Sequence, residues 1–496
     1  MPPVRRGASR PVVHPRYNQA VMACRWLLLL AIAAGVYGQS PPNVFQSARA
    51  AADRGNPSAQ LYVGESYRDG DAVPRDYTEA ARWFRLAAEQ GNAVAQFNLG
   101  YLYYTGQGVA SDHAEAVHWY RVAAEQGMAP AQNNLAYSYR TGDGVAADLK
   151  EAVRWYRMAA EKGDAGAQNS LGDCYHNGEG VTHDFAEAVR WYRAAAQQGN
   201  VSAEFSLADS YRTGEGAAQD YKEAARWYQM SADHGSVAAM FVLGLMYSAG
   251  KGVTRDPGEA ARFYKLAADQ GHAAAMFNLA DSYRLGEGVP RDMKEAVRLY
   301  RLMAERGNIP AQNNVGVAYR DGEGAEKDAS EAVKWFRQAA EKGFAAAQDN
   351  LANAYLTGEG VARNYEEALR WFRLAAEQTD AVAQFNLGAL YERGEGVTRS
   401  MEEAARWYLL AADQGDPTAQ LRIGNMYAAG GGVAGDPVRA FQWLDLAASA
   451  GEAAAAKSRD AIARGMTAAQ LAEARKLVAD WKTTWAENQP ISPLGN

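Results

Sequence analysis

The chain has 496 residues, 48% of them apolar, with 51 Lys plus Arg set against 58 Asp plus Glu, for a formal net charge of −7. That mild acidity, with no run of basic residues inside the repeated region, excludes a nucleic-acid binder as the first reading. With only two cysteines, a disulfide-stapled scaffold is excluded as well.

Residues 1–38 read as an export signal. Trp26 to Val36 is an apolar run of about eleven residues, short of the roughly 20 that a membrane span needs. It follows Arg5, Arg6, Arg10, Arg16 and Arg25 and ends in the small residues Gly35 and Gly38. Met22 stands where a compact signal would begin, so we expect translation to start there and cleavage to follow Gly38. The alternative is an uncleaved membrane anchor. Cys24 lies inside this segment and precedes the apolar run, which does not suit a lipid attachment site. Cys174 is then the lone cysteine of the mature chain.

From residue 56 to 451 one feature dominates. Eleven tyrosines recur every 36 residues, from Tyr67, Tyr103 and Tyr139 to Tyr427. A period of this size marks a solenoid built from one copied supersecondary unit. Residues 39–55 precede it, and Asn43 to Gly55 match the second half of a repeat, as an N-terminal cap would.

Each repeat reads as two helices. In the first, Ala95, Leu99 and Tyr103 and their equivalents form an i, i+4, i+8 stripe. Beside the stripe stands a position that is only Gly or Ala (Gly64, Gly100, Ala136 through Gly424), where close packing explains the missing side chain. A glycine present in all eleven copies, Gly70 through Gly430, ends this helix in the left-handed conformation. A second glycine, two residues on in ten copies, begins the loop. The second helix opens on Asp with Glu three residues later, as in Asp76 and Glu79, a capping-box pattern; Asn364 and Ser400 replace the Asp in two copies. It is expected to bury Ala80, Trp83, Phe84, Ala87 and Ala88, with large rings against small alanines. Nine of the twelve tryptophans fall at the Trp83 position. Its other face, Arg82, Arg85 and Glu89, reads as a solvated exterior with an i, i+4 Arg–Glu pair.

Residues 452–487 are expected to form C-terminal capping helices. Thr467 and Gln470 have capping-box spacing, and Leu471, Ala474, Val478, Trp481 and Trp485 form one apolar stripe. Residues 488–496 are expected to be disordered.

A catalytic residue has to break the repeat symmetry, and few residues do. The glycine-rich loops lack the preceding strand and following Lys-Ser/Thr of a phosphate-binding loop. Cys174, His176 and His183 fall within ten residues but lack a fourth ligand and a familiar zinc spacing. No Ser-His-Asp or paired-carboxylate arrangement stands out. We therefore assign no catalytic, cofactor-binding or metal-ligating residue.

Binding is better supported. One position of the first helices reads Asn98, Asn134, Ser170, Ser206, Val242, Asn278, Asn314, Asn350 and Asn386. Helical spacing puts it off the buried stripe, which predicts a polar groove with an asparagine ladder. Amides both donate and accept, so they suit the backbone of an extended peptide. Arg140, Arg212, Arg284 and Arg320 adjoin the ladder and suit acidic groups. The bland alternative is solvated helix surface.

The stretch Gly142 to Gly163, with its Gly-x-Gly-Val, Glu-Ala-x-x-Trp-Tyr-Arg and Ala-Ala-Glu-x-Gly elements, closely resembles the Sel1-like repeat, a relative of the tetratricopeptide repeat. The resemblance covers about residues 56 to 451. It implies an all-α, right-handed superhelical solenoid of antiparallel helix pairs that acts as a scaffold or adaptor. Family members include subunits of endoplasmic-reticulum degradation complexes and bacterial exported proteins in envelope assembly, signalling and host interaction. A cysteine-rich branch is associated with β-lactams, but this chain lacks that branch's cysteine pair in each repeat.

The sequence thus points to an exported scaffold, periplasmic or secreted, binding proteins or peptides through the concave face, without nucleic acid or small-molecule cofactor. One alternative is a hydrolase acting on β-lactams or cell-wall peptides. Another is an organiser of an envelope or degradation complex, tethered to the membrane by the retained N-terminal segment.

Overall fold

A computed structural model describes residues 43–487. The signal region with Met22 and Cys24, and the tail 488–496, lie outside the described residues. Among those described there are 25 α-helices and no strand. Helix α1 (Asn43–Asp53) is followed by eleven helix pairs, from Pro57–Asp69 with Tyr77–Glu89 to Pro417–Ala429 with Pro437–Ser449. Helices α24 (Ala453–Ala463) and α25 (Ala468–Glu487) complete the chain. The helices divide between two compact units, residues up to 246 with 250–254, and residues 247–249 with those from 255 on. Within each unit, consecutive pairs stack as a solenoid.

The caps follow from the sequence. The eleven glycines that end the first helices have φ between 69° and 83°, and Gly70 and Asp71 both donate to the Ser66 carbonyl at 3.0 and 3.1 Å. Asp76 Oδ1 accepts from the Thr78 and Glu79 amides at 2.9 and 3.1 Å; Asn364 and Ser400 cap in the same way. The capping box is not reciprocal. The Asp76 amide donates instead to the carbonyl of Tyr67, and Glu79 pairs with Arg82. Two first helices, opening at Met128 and Phe344, have no side-chain cap.

Packing identifies the partner of the Gly/Ala position. A Cβ on Gly64 would come within 2.6 Å of the Phe84 ring, and one on Gly172 within 2.6 Å of Tyr192. The small residue therefore seats the ring next to the tryptophan position, and Tyr120, Tyr156, Tyr192 and Tyr228 at that site are among the most deeply buried side chains. The second glycine does more than begin a loop. A Cβ on Gly144 would run into the His113 carbonyl, and one on Gly180 into that of Leu149, the first residue of the preceding repeat's second helix. Only the first repeat carries a side chain there, Ala72, with φ of 68°.

Two polar links recur between neighbouring repeats. The repeated tyrosine hydroxyl accepts from an arginine of the preceding second helix: Arg121 to Tyr139, Arg157 to Tyr175 and Arg193 to Tyr211, each at 2.8 Å. Arg85 likewise binds Tyr103, so the expected Arg85–Glu89 pair gives way to a bond across repeats. Helix α1 imitates a second helix, with Arg49 reaching Tyr67 at 3.3 Å. The other link is a buried glutamine. Gln60, Gln96 and Gln168 donate to the carbonyls of Ala52, Ala88 and Ala160 at 3.0–3.2 Å and accept from Gln90, Gln126 and Gln198 at 2.7–2.8 Å. Each such amide gives a second donor to a helix-end carbonyl that already accepts from the glycine amide three residues on, as Ala88 does from Gly91 at 2.9 Å.

At the C-terminal end, α24 begins one period after Pro417–Ala429 but is polar where the repeats are not. Arg459 stands at the Leu99 position and Asp460 at the Gly100 position, and Arg459 pairs with Asp445 and Asp460 at 2.9 and 2.8 Å. Helix α25 opens on a reciprocal Thr467–Gln470 box. It buries Ala474 and Val478, and Trp481 packs edge-on against Trp443.

Candidate functional site

The residues of the expected groove lie on the first helices, but they differ in access. Asn98 and Asn134 are buried, at 8% and 4% exposure, as are Ser170 and Ser206. Asn278, Asn314, Asn350 and Asn386 are half-buried. The stripe of a lone helix leaves this position outside; the neighbouring repeat covers it in the first unit. Several of the amides are already engaged. Asn98 accepts from Arg68 at 3.2 Å, Asn350 accepts from Arg320 at 2.7 Å and donates to Asn313 at 2.9 Å, and Asn386 donates to Asp349 at 3.2 Å.

The four arginines are held by carboxylates of this chain. Arg140 crosses to Glu179 at 2.7 Å, Arg212 binds Asp209 at 2.5 Å, Arg284 binds Asp281 at 2.8 Å, and Arg320 binds Asp321 at 2.7 Å. Free guanidiniums awaiting an acidic ligand are therefore not what the arrangement offers. Burial, with Asp380 nearby, pushes the Asp349 carboxyl up to about 6, while Asn386, Asn353 and Arg320 pull it back.

In the second unit, the first helices Ala273–Leu285 and Ile309–Asp321 enclose a cleft of about 710 Å³. It contains two groove residues, Arg284 and Asn314, with Phe277, Leu285, Met293 and Val317 as apolar lining. Helical spacing puts Asp281 and Leu285, three and seven residues past Asn278, on the face of the asparagine position, and Val317 holds the Asp281 place one repeat on. Leu285 breaks the symmetry there: ten repeats have Thr, Asp, Asn, Ala or Arg at its position.

Elsewhere, burial pushes the Cys174 thiol up to about 12, and the rings of His176 and His183 both meet Phe185 edge-on. Among the described residues no group of His, Cys, Asp or Glu is arranged to hold a metal ion. No described helix is long and apolar enough to cross a membrane.

The Sel1 repeat pattern matches eleven times back to back, from 57–92 and 93–128 to 417–452. The chain belongs to the Sel1 repeat family. This Sel1 repeat protein is similar to a solved structure described as c5321, a protective antigen present in uropathogenic Escherichia coli strains displaying an SLR fold. Identity is 36% over 91% of this chain and 99% of that one, with a TM-score of 0.80. It is also similar to a Sel1 repeat protein from Oxalobacter formigenes, at 32% identity over 61% of this chain and 89% of that one, with a TM-score of 0.55. No curated protein sequence matches. Sel1 repeat folds commonly serve as protein-interaction scaffolds and are generally not catalysts.

Proposed function

We propose that this Sel1 repeat protein is a scaffold that holds extended segments of partner proteins on the face formed by its first helices. The carrying observation is the division of labour along the repeat. A position that couples repeats keeps its chemistry, as the Tyr103 position does in all eleven copies, whereas the outer positions of the first helices change from copy to copy: Tyr101, Asp173, Leu245, Val317 at one, and Thr105, Asn177, Leu285, Arg393 at another. Structural duty constrains the former; partner choice accounts for the latter.

The test compares two triple variants in partner capture. Asn278→Ala with Asn314→Ala and Asn350→Ala is expected to reduce capture at least tenfold, and Arg262→Ala with Arg298→Ala and Arg370→Ala, on the second helices, to leave it unchanged. Equal capture by both would count against the reading. We also propose export, on the strength of residues 1–38, with the cleaved N-terminus checked by mass spectrometry. Catalysis is not part of the proposal, and turnover of nitrocefin or muropeptides abolished by one point change would contradict it.

A further inference from the structure

This inference rests on the scaffold reading and adds a control to its groove. At the position of Asp349 the other ten repeats carry Asn, Phe or Leu, so a single copy places a carboxyl group there, 8% exposed. One repeat earlier the same rung between first helices is neutral: Asn350 Nδ2 donates to Asn313 Oδ1 at 2.9 Å. At Asp349 the rung can titrate, because Asn386 Nδ2 donates to its Oδ1 at 3.2 Å.

The two amides that hold this carboxylate differ in freedom. Asn353 Nδ2 donates to Asp349 Oδ2 and also to the Asp349 backbone carbonyl, both at 3.0 Å, so turning that amide over would break two bonds. The Asn386 side chain, half-buried on the groove face of the next repeat, is held among the described residues by the Oδ1 bond alone. A protonated carboxyl buried here has to place its hydroxyl on an acceptor. Asn386 supplies one by turning over.

The surroundings bring this proton within reach of mild acidity. Burial, with Asp380 at the start of Ala381–Arg393, pushes the carboxyl up to about 6, while Asn386, Asn353 and Arg320 of Ile309–Asp321 pull it back. Arg320 is itself paired with Asp321. The second helices on either side direct their charges elsewhere: Lys334 to Glu331, Arg337 to Tyr355, Arg370 to Glu367 and Arg373 to Tyr391, with Glu366 and Glu377 exposed. On Ala381–Arg393, Glu392 accepts from Tyr408 and Arg393 pairs with Glu395.

We propose that Asp349 is a proton-operated switch of the groove. Ionised, it takes the Asn386 nitrogen and leaves that residue's side-chain oxygen to accept a backbone N–H of a bound segment. Protonated, it donates to the oxygen and leaves the nitrogen to donate to a backbone C=O. One proton thus inverts the hydrogen-bonding sense of one groove position.

The test labels the asparagine side chains of the full chain with nitrogen-15 and follows the Asn386 amide, identified by its loss in Asn386→Ala, between pH 4.5 and 8. A shift with its midpoint near 6 is expected, and Asp349→Asn, which carries the residue of Asn133, Asn169 and Asn313 and should keep the fold, is expected to abolish it. In parallel, an array of hexapeptides without Asp, Glu or His is probed at pH 5 and 7.5. Peptides that Asn386→Ala releases are expected to change at least fivefold between the two, the scale of one mismatched hydrogen bond, and less than twofold in Asp349→Asn. An Asn386 signal that does not titrate, or capture that responds to pH equally with and without Asp349, overturns the switch and leaves the scaffold standing. Binding of no peptide at either pH overturns both.

Discussion

At the residue scale, two positions of the repeat that often hold glycine look alike in sequence and differ in consequence. Gly144 has φ of 73° and abuts a carbonyl of the previous repeat, which has no room to yield. Gly316 lies in a helix and faces the Phe336 ring, at a position where Ala136 and Ala352 are accommodated. Gly144→Ala is therefore expected to cost at least ~2 kcal/mol, and Gly316→Ala to stay within about 1 kcal/mol of the parent, because the better helix propensity of alanine offsets the ring's displacement. Thermal melting of the two variants checks the order; equal shifts would contradict it. The glutamine link carries a paired exception at this scale. Glu204, with no accessible surface, replaces the first glutamine of repeat 5, and His234 replaces the second, with its Nδ1 2.9 Å from the carboxylate. Only the pairing across 30 residues explains why both changed together.

At the scale of the element, caps, helix ends and the buried stripe were legible because they depend on neighbours a few residues away. The candidate site was less so. Asn98 and Asn134 lie off the stripe of their own helix and are covered by side chains some 30 residues distant, such as Arg68, a contact no helical wheel contains. The same cause hid Arg85 behind an apparent exterior. Asp349 shows a cost of this burial. Its folded pKa of about 6 stands above the ordinary 3.8, so the folded state binds a proton more readily than the unfolded one. Stability should rise as pH falls from 7 towards 4, and the penalty should be complete above about 6. A shift of this size corresponds to an order of 3 kcal/mol. Asp349→Asn, which installs the residue of Asn133, Asn169 and Asn313, is expected to raise the melting temperature at pH 7.5 and to flatten its pH dependence between 4 and 7. A variant with the parental slope would show that the carboxyl is not the source.

At the scale of the whole molecule, the period of 36 made the architecture readable, since eleven copies average out local accident. The caps at both ends were readable as well; what the period alone did not reveal was the pair of charges that α24 carries in place of a repeat's apolar stripe. Helix α1 is of the second type, and α24 starts as one of the first type. Left apolar, α24 would offer the counterpart of α1, and copies could join head to tail in an open-ended polymer. Arg459 and Asp460, standing where Leu99 and Gly100 stand in a full repeat, deny a further helix its landing place. Replacing both, Arg459→Leu with Asp460→Gly, is expected to turn the terminus into a growing end, seen as concentration-dependent mass in light scattering. That outcome would make the two charges a chain terminator; a variant that keeps the parental mass at every concentration would contradict it.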